Sequence, residues 1–291
     1  MREAWNAFWF RPSAPNGIIA ARVVIALNAL WLIASRPLLP DVVRWPAPFW
    51  THADVFIRTR FFVLPLPFFV EMTLYAILAI ALVGAAAGIA LRVCAFAAAI
   101  LIYHFAPMED IFTSIGGPFF RGFTLPLLGL LILAQSQRPK RSDGPSSEFR
   151  WPLALMQVLF AFTYLLSGFS KLRIAGASWS TGDTFESIVL AMMIPDSVPP
   201  WAHFFVGNAL LCWLGAIVGT ALDFLFIVAV LSRRAARLII PITFIAHLVI
   251  IRVLGVVFLG MPMLLLFVNW DWVREALRRE SGARTEIALA E

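Results

Sequence analysis

Apolar residues run through this chain in long blocks, and polar residues collect between them. The blocks fall near 17–35, 68–91, 93–108, 119–136, 151–172, 203–232, 236–252 and 254–271. Most are long enough to cross a hydrocarbon layer of about 30 Å as a helix; the third, seventh and eighth are short for it. A helix satisfies its own backbone hydrogen bonds in lipid. The pattern therefore predicts an all-α polytopic membrane bundle of about eight helices. Small residues dominate the second and third blocks (Gly84 to Gly88, then Ala95, Ala97, Ala98 and Ala99), which suits close packing of helices. Residues 1–272 read as one transmembrane helical domain and 273–291 as a charged cytoplasmic tail. There is no internal repeat.

Composition strengthens the membrane reading. Of 291 residues, 61% are hydrophobic and only 14% charged, more apolar surface than a soluble domain of this size hides. The N-terminus opens on Trp5, Phe8, Trp9 and Phe10 ahead of a first block of full spanning length, so it reads as lacking a cleavable signal. Cys94 and Cys212 both fall in apolar blocks and read as small buried hydrophobes.

The net charge is +6, and its distribution predicts an orientation. With eight crossings and a cytoplasmic N-terminus, fourteen cations fall inside, among them Arg11, Arg138, Lys140, Arg233, Arg234 and Arg278, and eight outside, among them Arg58, Arg60, Lys171 and Arg252. That bias fits the positive-inside rule and puts both termini in the cytoplasm of a bacterial-type inner membrane. No basic run interleaved with aromatics points to nucleic acid. The expected surroundings are a lipid bilayer and a lipophilic small molecule; the sequence names no protein partner.

Segment 40–70 is rich in aromatics and prolines. It reads as an interfacial aromatic belt, or as a wall beside the access path of a hydrophobic substrate.

Only two of the 23 cations are lysines, and Lys171 closes the fifth block. An ionisable group at the edge of a span is costly to bury. A lysine ammonium loses its charge when desolvated, as an arginine does not. Two readings stay open: a cation that snorkels to the interface, or a group that handles protons. Tyr164, Ser167, Gly168 and Lys171 share one helix face by their spacing. Asp223 lies deep in the sixth block, where a carboxylate costs roughly 2.5–3.5 kcal/mol, so it is expected to be paired. Arg22, in the first block and by this topology in the same half of the membrane, is the partner that the sequence offers. His247 reads as an interhelical donor or as a catalytic group. No two histidines sit three or four residues apart and no Cys–His spacing fits a metal site, so no metal is expected, with a haem held by histidines of two separate helices left as the minor alternative. Phosphate loops, nucleophile elbows and dinucleotide fingerprints are missing from the sequence.

Taken in order, several segments resemble a known family. Tyr164-x3-Gly168-x2-Lys171-Leu172 followed by Trp179-x2-Gly182, the opening Arg11-Pro12-Ser13-x-Pro15 with Ala21-Arg22, and Asp223 followed by His247 are similar to the membrane domain of vitamin K-dependent gamma-glutamyl carboxylases. That domain is also called the horizontally transferred transmembrane domain. The resemblance covers roughly residues 9–270. It implies a reduced, vitamin K-like quinone as cofactor, Lys171 as the base that deprotonates it, His247 as a second catalytic group, and Tyr164 and Trp179 beside the substrate. Two departures limit the transfer. The stretch Thr113 to Phe120 lacks the histidine that the family carries there, and the sequence reads as lacking a counterpart of the family's large luminal domain. The expected function is a lysine-centred enzyme acting on a lipophilic quinol. A non-catalytic membrane scaffold and a small-molecule transporter are the alternatives.

Overall fold

In the computed structural model, residues 2–34, 44, 66–110, 124–140, 142–192, 203–254 and 260–279 are described. All the regular elements among them are helices; one isolated bridge joins Ser13 to Ser146. The helices are α1 (Arg2–Phe10), α2 (Asn16–Ala34), α3 (Phe68–Ala87), α4 (Leu91–Asp110), α5 (Thr124–Gln135), α6 (Arg150–Ala175), α7 (Ala177–Ser180), α8 (Asp183–Met192), α9 (Ala209–Leu231) and α10 (Arg233–Leu254). Helix α11 covers 270–279. Short 3-10 helices cover Ser147–Phe149 and Met261–Phe267.

Among the described residues, five segments are long and apolar enough to cross a membrane: Asn16–Ala34, Phe68–Ala87, Ser147–Ala175, Ala209–Leu231 and Arg233–Arg252. The apolar helices Leu91–Ala106 and Thr124–Gln135 are shorter. The eighth block, 254–271, does not form one helix: residues 261–267 wind as a 3-10 helix and 270–279 as a separate α-helix. A 3-10 helix spends its hydrogen bonds three residues apart and rarely runs long. Most of the aromatic segment 40–70, His52 and the 113–120 stretch lie outside the described residues.

The chain forms two compact units. One comprises Met1–Met156 with Val268–Glu291, the other Gln157–Phe267. In the first, α2 packs on α3 and α5, and α4 on α3 and α5. Small residues set the approach. A Cβ on Gly84 would stand 2.8 Å from the Cys94 Sγ, and one on Gly129 would stand 2.8 Å from Ile25. Ile18, Ile25, Leu32, Leu78, Leu82, Ile102, Leu130 and Leu133 fill the core between. Helix α3 stops at Gly88, whose φ of 75° lets its N–H and that of Ile89 turn back to the carbonyls of Ala85 and Gly84. Asn16 at the start of α2 donates to Asp271 (2.7 Å) and accepts from Arg274 (3.0 Å), tying α11 to α2.

In the second unit α9 packs against α8 and α10, and α10 against the 3-10 helix Met261–Phe267. Asn208 caps α9 by accepting from the Leu211 N–H at 3.1 Å. Helix α10 carries Pro241 in its interior, which removes one backbone donor there.

Candidate functional site

The 26-residue helix α6 outlasts what a crossing needs by more than a turn, at about 20 residues per span. Lys171 is therefore still helical, one turn short of the end, and its side chain has a facing helix to meet. Its ammonium donates to Asp223 Oδ2 at 2.6 Å. The side chains are 26% and 9% exposed. Asp223, expected beside Arg22, is thus paired with Lys171 instead. Arg22 is a nearly buried cation whose Nε donates to the Ala86 carbonyl at 3.1 Å, and it lies against Gly88. Its role is to satisfy the C-terminal carbonyls of α3, the end of a helix that favours a cation.

Gly168 makes the Lys–Asp contact reachable. A Cβ on it would stand 3.1 Å from both Asp223 Cβ and the Phe224 ring. With hydrogen at that position α9 approaches closely enough for the ammonium to reach the carboxylate. Gly219, one turn from Asp223 on α9, faces the same ammonium: a Cβ there would stand 4.0 Å from the Lys171 Nζ, in ordinary van der Waals contact.

Two turns earlier on the same face of α6, the Tyr164 hydroxyl and His247 Nε2 share a 2.6 Å hydrogen bond. The His247 tautomer decides which of them donates. The Tyr164 ring lies flat on Phe226, 4.1 Å between centroids and 5° between planes. Phe160 and Phe267 both meet Phe226 edge-on and lie tilted to each other. His247 is 8% exposed. The Tyr164 ring is thus held among aromatic side chains, and the two polar groups are hydrogen-bonded to each other.

Trp179 closes the other end. It is buried, and its Nε1 donates to Thr220 Oγ1 at 2.7 Å, with the Ala216 carbonyl at 3.3 Å. The Lys171 ammonium sits 5.2 Å from the Trp179 ring centroid, within cation–π range. Gly182 lets the chain turn here: its φ is +90°, and a Cβ would meet the Trp213 backbone nitrogen at 2.6 Å.

The second unit thus brings together Tyr164, Lys171, Trp179, Asp223 and His247, while Arg22 belongs to the first unit. Sequence reasoning missed Thr220 and Phe226. Thr220 is the polar residue one turn before Asp223, and Phe226 the aromatic one turn after it on α9; each is as common a sight in a membrane helix as in a site. A further dyad stands in the first unit. Glu71, fully buried, accepts from the Leu66 N–H at 2.6 Å and contacts His104 Nε2 at 3.0 Å. Both cysteines are free, and Cys212 donates to the Phe205 carbonyl. Among the described residues no group of three or more His, Cys, Asp or Glu could hold a metal ion.

Chemically, the arrangement is an ammonium–carboxylate pair and a phenol–imidazole pair on one helix face, between aromatic walls. One hydrogen bond joins the two groups of each pair. Compared with known proteins, the chain matches no family model, no curated protein and no solved structure.

Proposed function

We propose that this chain is an integral-membrane enzyme that takes a proton from a lipophilic hydroxyl compound, a reduced quinone fitting best. The carrying observation is the Lys171–Asp223 pair at 2.6 Å, two turns from the Tyr164–His247 pair on α6. Passing the hydrogen-bonded proton from the ammonium to Asp223 leaves a neutral amine and a neutral carboxylic acid, and the amine is then a base. Asp223 is the acceptor that makes this possible without moving charge through lipid. Tyr164 and His247 offer a second donor–acceptor pair at hydrogen-bonding reach. The Trp179 ring beside Lys171 is the flat aromatic surface that a ring-shaped ligand would meet. A bound hydroquinone would supply the acidic hydroxyls and two electrons, and dissolved oxygen would accept those electrons. The resemblance to the gamma-glutamyl carboxylase membrane domain, carried by Tyr164, Gly168, Lys171, Trp179 and Gly182, supports the same assignment. This reading counts the two shorter apolar helices as further crossings. With 254–271 as a broken eighth passage the count is even, and the reading keeps both termini in the cytoplasm of a bacterial inner membrane, on the arginine asymmetry.

The test is oxidation of added hydroquinones by purified protein, followed by quinone absorbance and oxygen uptake. Lys171→Arg keeps the pair with Asp223 but cannot act as a base. The expected outcome is a folded variant with at least about a hundredfold lower turnover, the usual contribution of a positioned general base. Full turnover in Lys171→Arg ends the proposal.

A second reading has one observation in its favour. The Lys171 charge is already matched by Asp223, so the pair also suits a structural pin in a non-catalytic scaffold. In that case Lys171→Arg preserves cellular function and no hydroquinone is turned over.

A further inference from the structure

A groove of about 560 Å³ opens on the second unit, lined by Phe204, Phe205, Leu211, Ile245, Leu248, Val249 and Arg252. On α10 the last four recur at intervals of three, one and three residues and so share one side of the helix. Thr243 and His247 fall on the opposite side, so this groove is separate from the Tyr164–His247 pair. Its far wall is fixed in place. Phe205 stands 5.8 Å from Phe185, its carbonyl accepts from Cys212, and the neighbouring Gly207 N–H donates to Glu186 at 2.8 Å. Within the bare protein Ile245, Leu248 and Val249 are about half exposed.

Every lining side chain is apolar except Arg252, in the last turn of α10. The ion pairs among the described residues are His104–Glu71 and Lys171–Asp223, so Arg252 carries no counter-ion there. The helix C-terminus attracts it only weakly. An apolar trough with one unmatched cation at its end is complementary to an acyl chain that ends in an anion. We propose that this groove binds one anionic phospholipid of the surrounding bilayer, its chain along Ile245, Leu248 and Val249 and its phosphate on Arg252. The proposal does not rest on proton chemistry at Lys171.

The experiment uses the full chain, purified and stripped of lipid in mild detergent. Dimyristoyl phosphatidylglycerol, dimyristoyl phosphatidylcholine or free myristate is then added. Bound lipid is counted by native mass spectrometry, and the melting midpoint is read in parallel. Phosphatidylglycerol should be retained about fivefold over phosphatidylcholine, the effect of roughly one matched charge at a membrane surface. It should raise the midpoint by about 3 °C. Arg252→Gln should lose that preference and Arg252→Lys should keep it. Leu248→Trp, which fills the groove, should lose retention of both phospholipids whatever the stability of Arg252→Gln. Equal retention of the two phospholipids by the unaltered protein means that Arg252 only snorkels, and it overturns the proposal. A preference that survives Arg252→Gln, or myristate displacing phosphatidylglycerol at equal concentration, overturns it too.

Discussion

Lys171 on α6 and Asp223 on α9 hold each other at 2.6 Å across the helix pair. Removing either partner leaves a charge in a poor environment. Breaking a fully buried pair costs about 3–5 kcal/mol. Lys171 is a quarter exposed, which moves the expected cost down to about 2 kcal/mol for Lys171→Leu or Asp223→Leu alone. The double variant Lys171→Leu/Asp223→Leu should recover most of that loss, since neither charge is then stranded. Unfolding titrations in mixed detergent read the cycle. Costs that simply add would show that the two side chains do not act as a pair.

Gly182 is the second test of local geometry. Its φ of +90° lies where L-residues are strained, and a Cβ would press on the Trp213 backbone at 2.6 Å. Both penalties fall on the turn that sets Trp179 against Thr220. Gly182→Ala should destabilise by about 2 kcal/mol or more. It should also red-shift tryptophan emission as Trp179 loses its buried hydrogen bond. A variant with unchanged emission and stability would contradict the turn.

Arg22 makes a parallel case in the first unit. Its guanidinium sits where a Cβ on Gly88 would go, at 2.4 Å, and Gly88 has a φ of +75°. Gly88→Ala should therefore cost more than the roughly 1 kcal/mol of left-handed strain alone. Arg22→Gln should relieve part of the Gly88→Ala defect, because the shorter side chain vacates that space. Thermal melts of the two single variants and the double variant check this. No relief in the double variant would put the defect in the backbone only.

The helical class was legible because the apolar blocks are long, and their edges are marked by chemistry. The blocks 17–35 and 68–91 became α2 and α3, the second ending early at Gly88 because only a left-handed residue stops the helix there. The block 203–232 begins late, at Asn208, whose side chain caps α9. The block 254–271 failed as one helix, since hydropathy counts apolar residues without regard to which hydrogen bonds they make. Within the site, the spacing of Tyr164, Gly168 and Lys171 was enough to put them on one face of α6. The partner of Asp223 was not legible. Ranking residues by depth within centred spans put Asp223 beside Arg22 and Lys171 at the far edge. Helix α6 is longer than a crossing, so its last turns slide along α9, and only the packing of Gly168 on Asp223 and Phe224 fixes that register.

Tyr164 separates a structural from a chemical role most cleanly. Its ring stacks on Phe226 at 4.1 Å, and its hydroxyl reaches His247 at 2.6 Å. Tyr164→Phe keeps the stack and deletes only the hydroxyl. Hydrogen bonds between membrane helices average about 0.6 kcal/mol with a maximum near 1.7, so the variant should fold with a small loss of stability. Tyr164→Ala removes the ring as well and should cost about 3–5 kcal/mol, as large-to-small changes under a packed aromatic do. The functional readings divide on the first variant. If the phenol and imidazole relay a proton during hydroquinone oxidation, Tyr164→Phe should lower kcat by at least about tenfold and leave KM nearly unchanged, the signature of a group used in the reaction rather than in binding. If the pair only pins α10 to α6, kcat should follow the fraction of folded protein. Steady-state rates corrected for folded fraction, measured beside the unfolding titration, decide between the two. An unchanged corrected kcat removes Tyr164 and His247 from the proposed chemistry and leaves Lys171 and Asp223 to carry it alone.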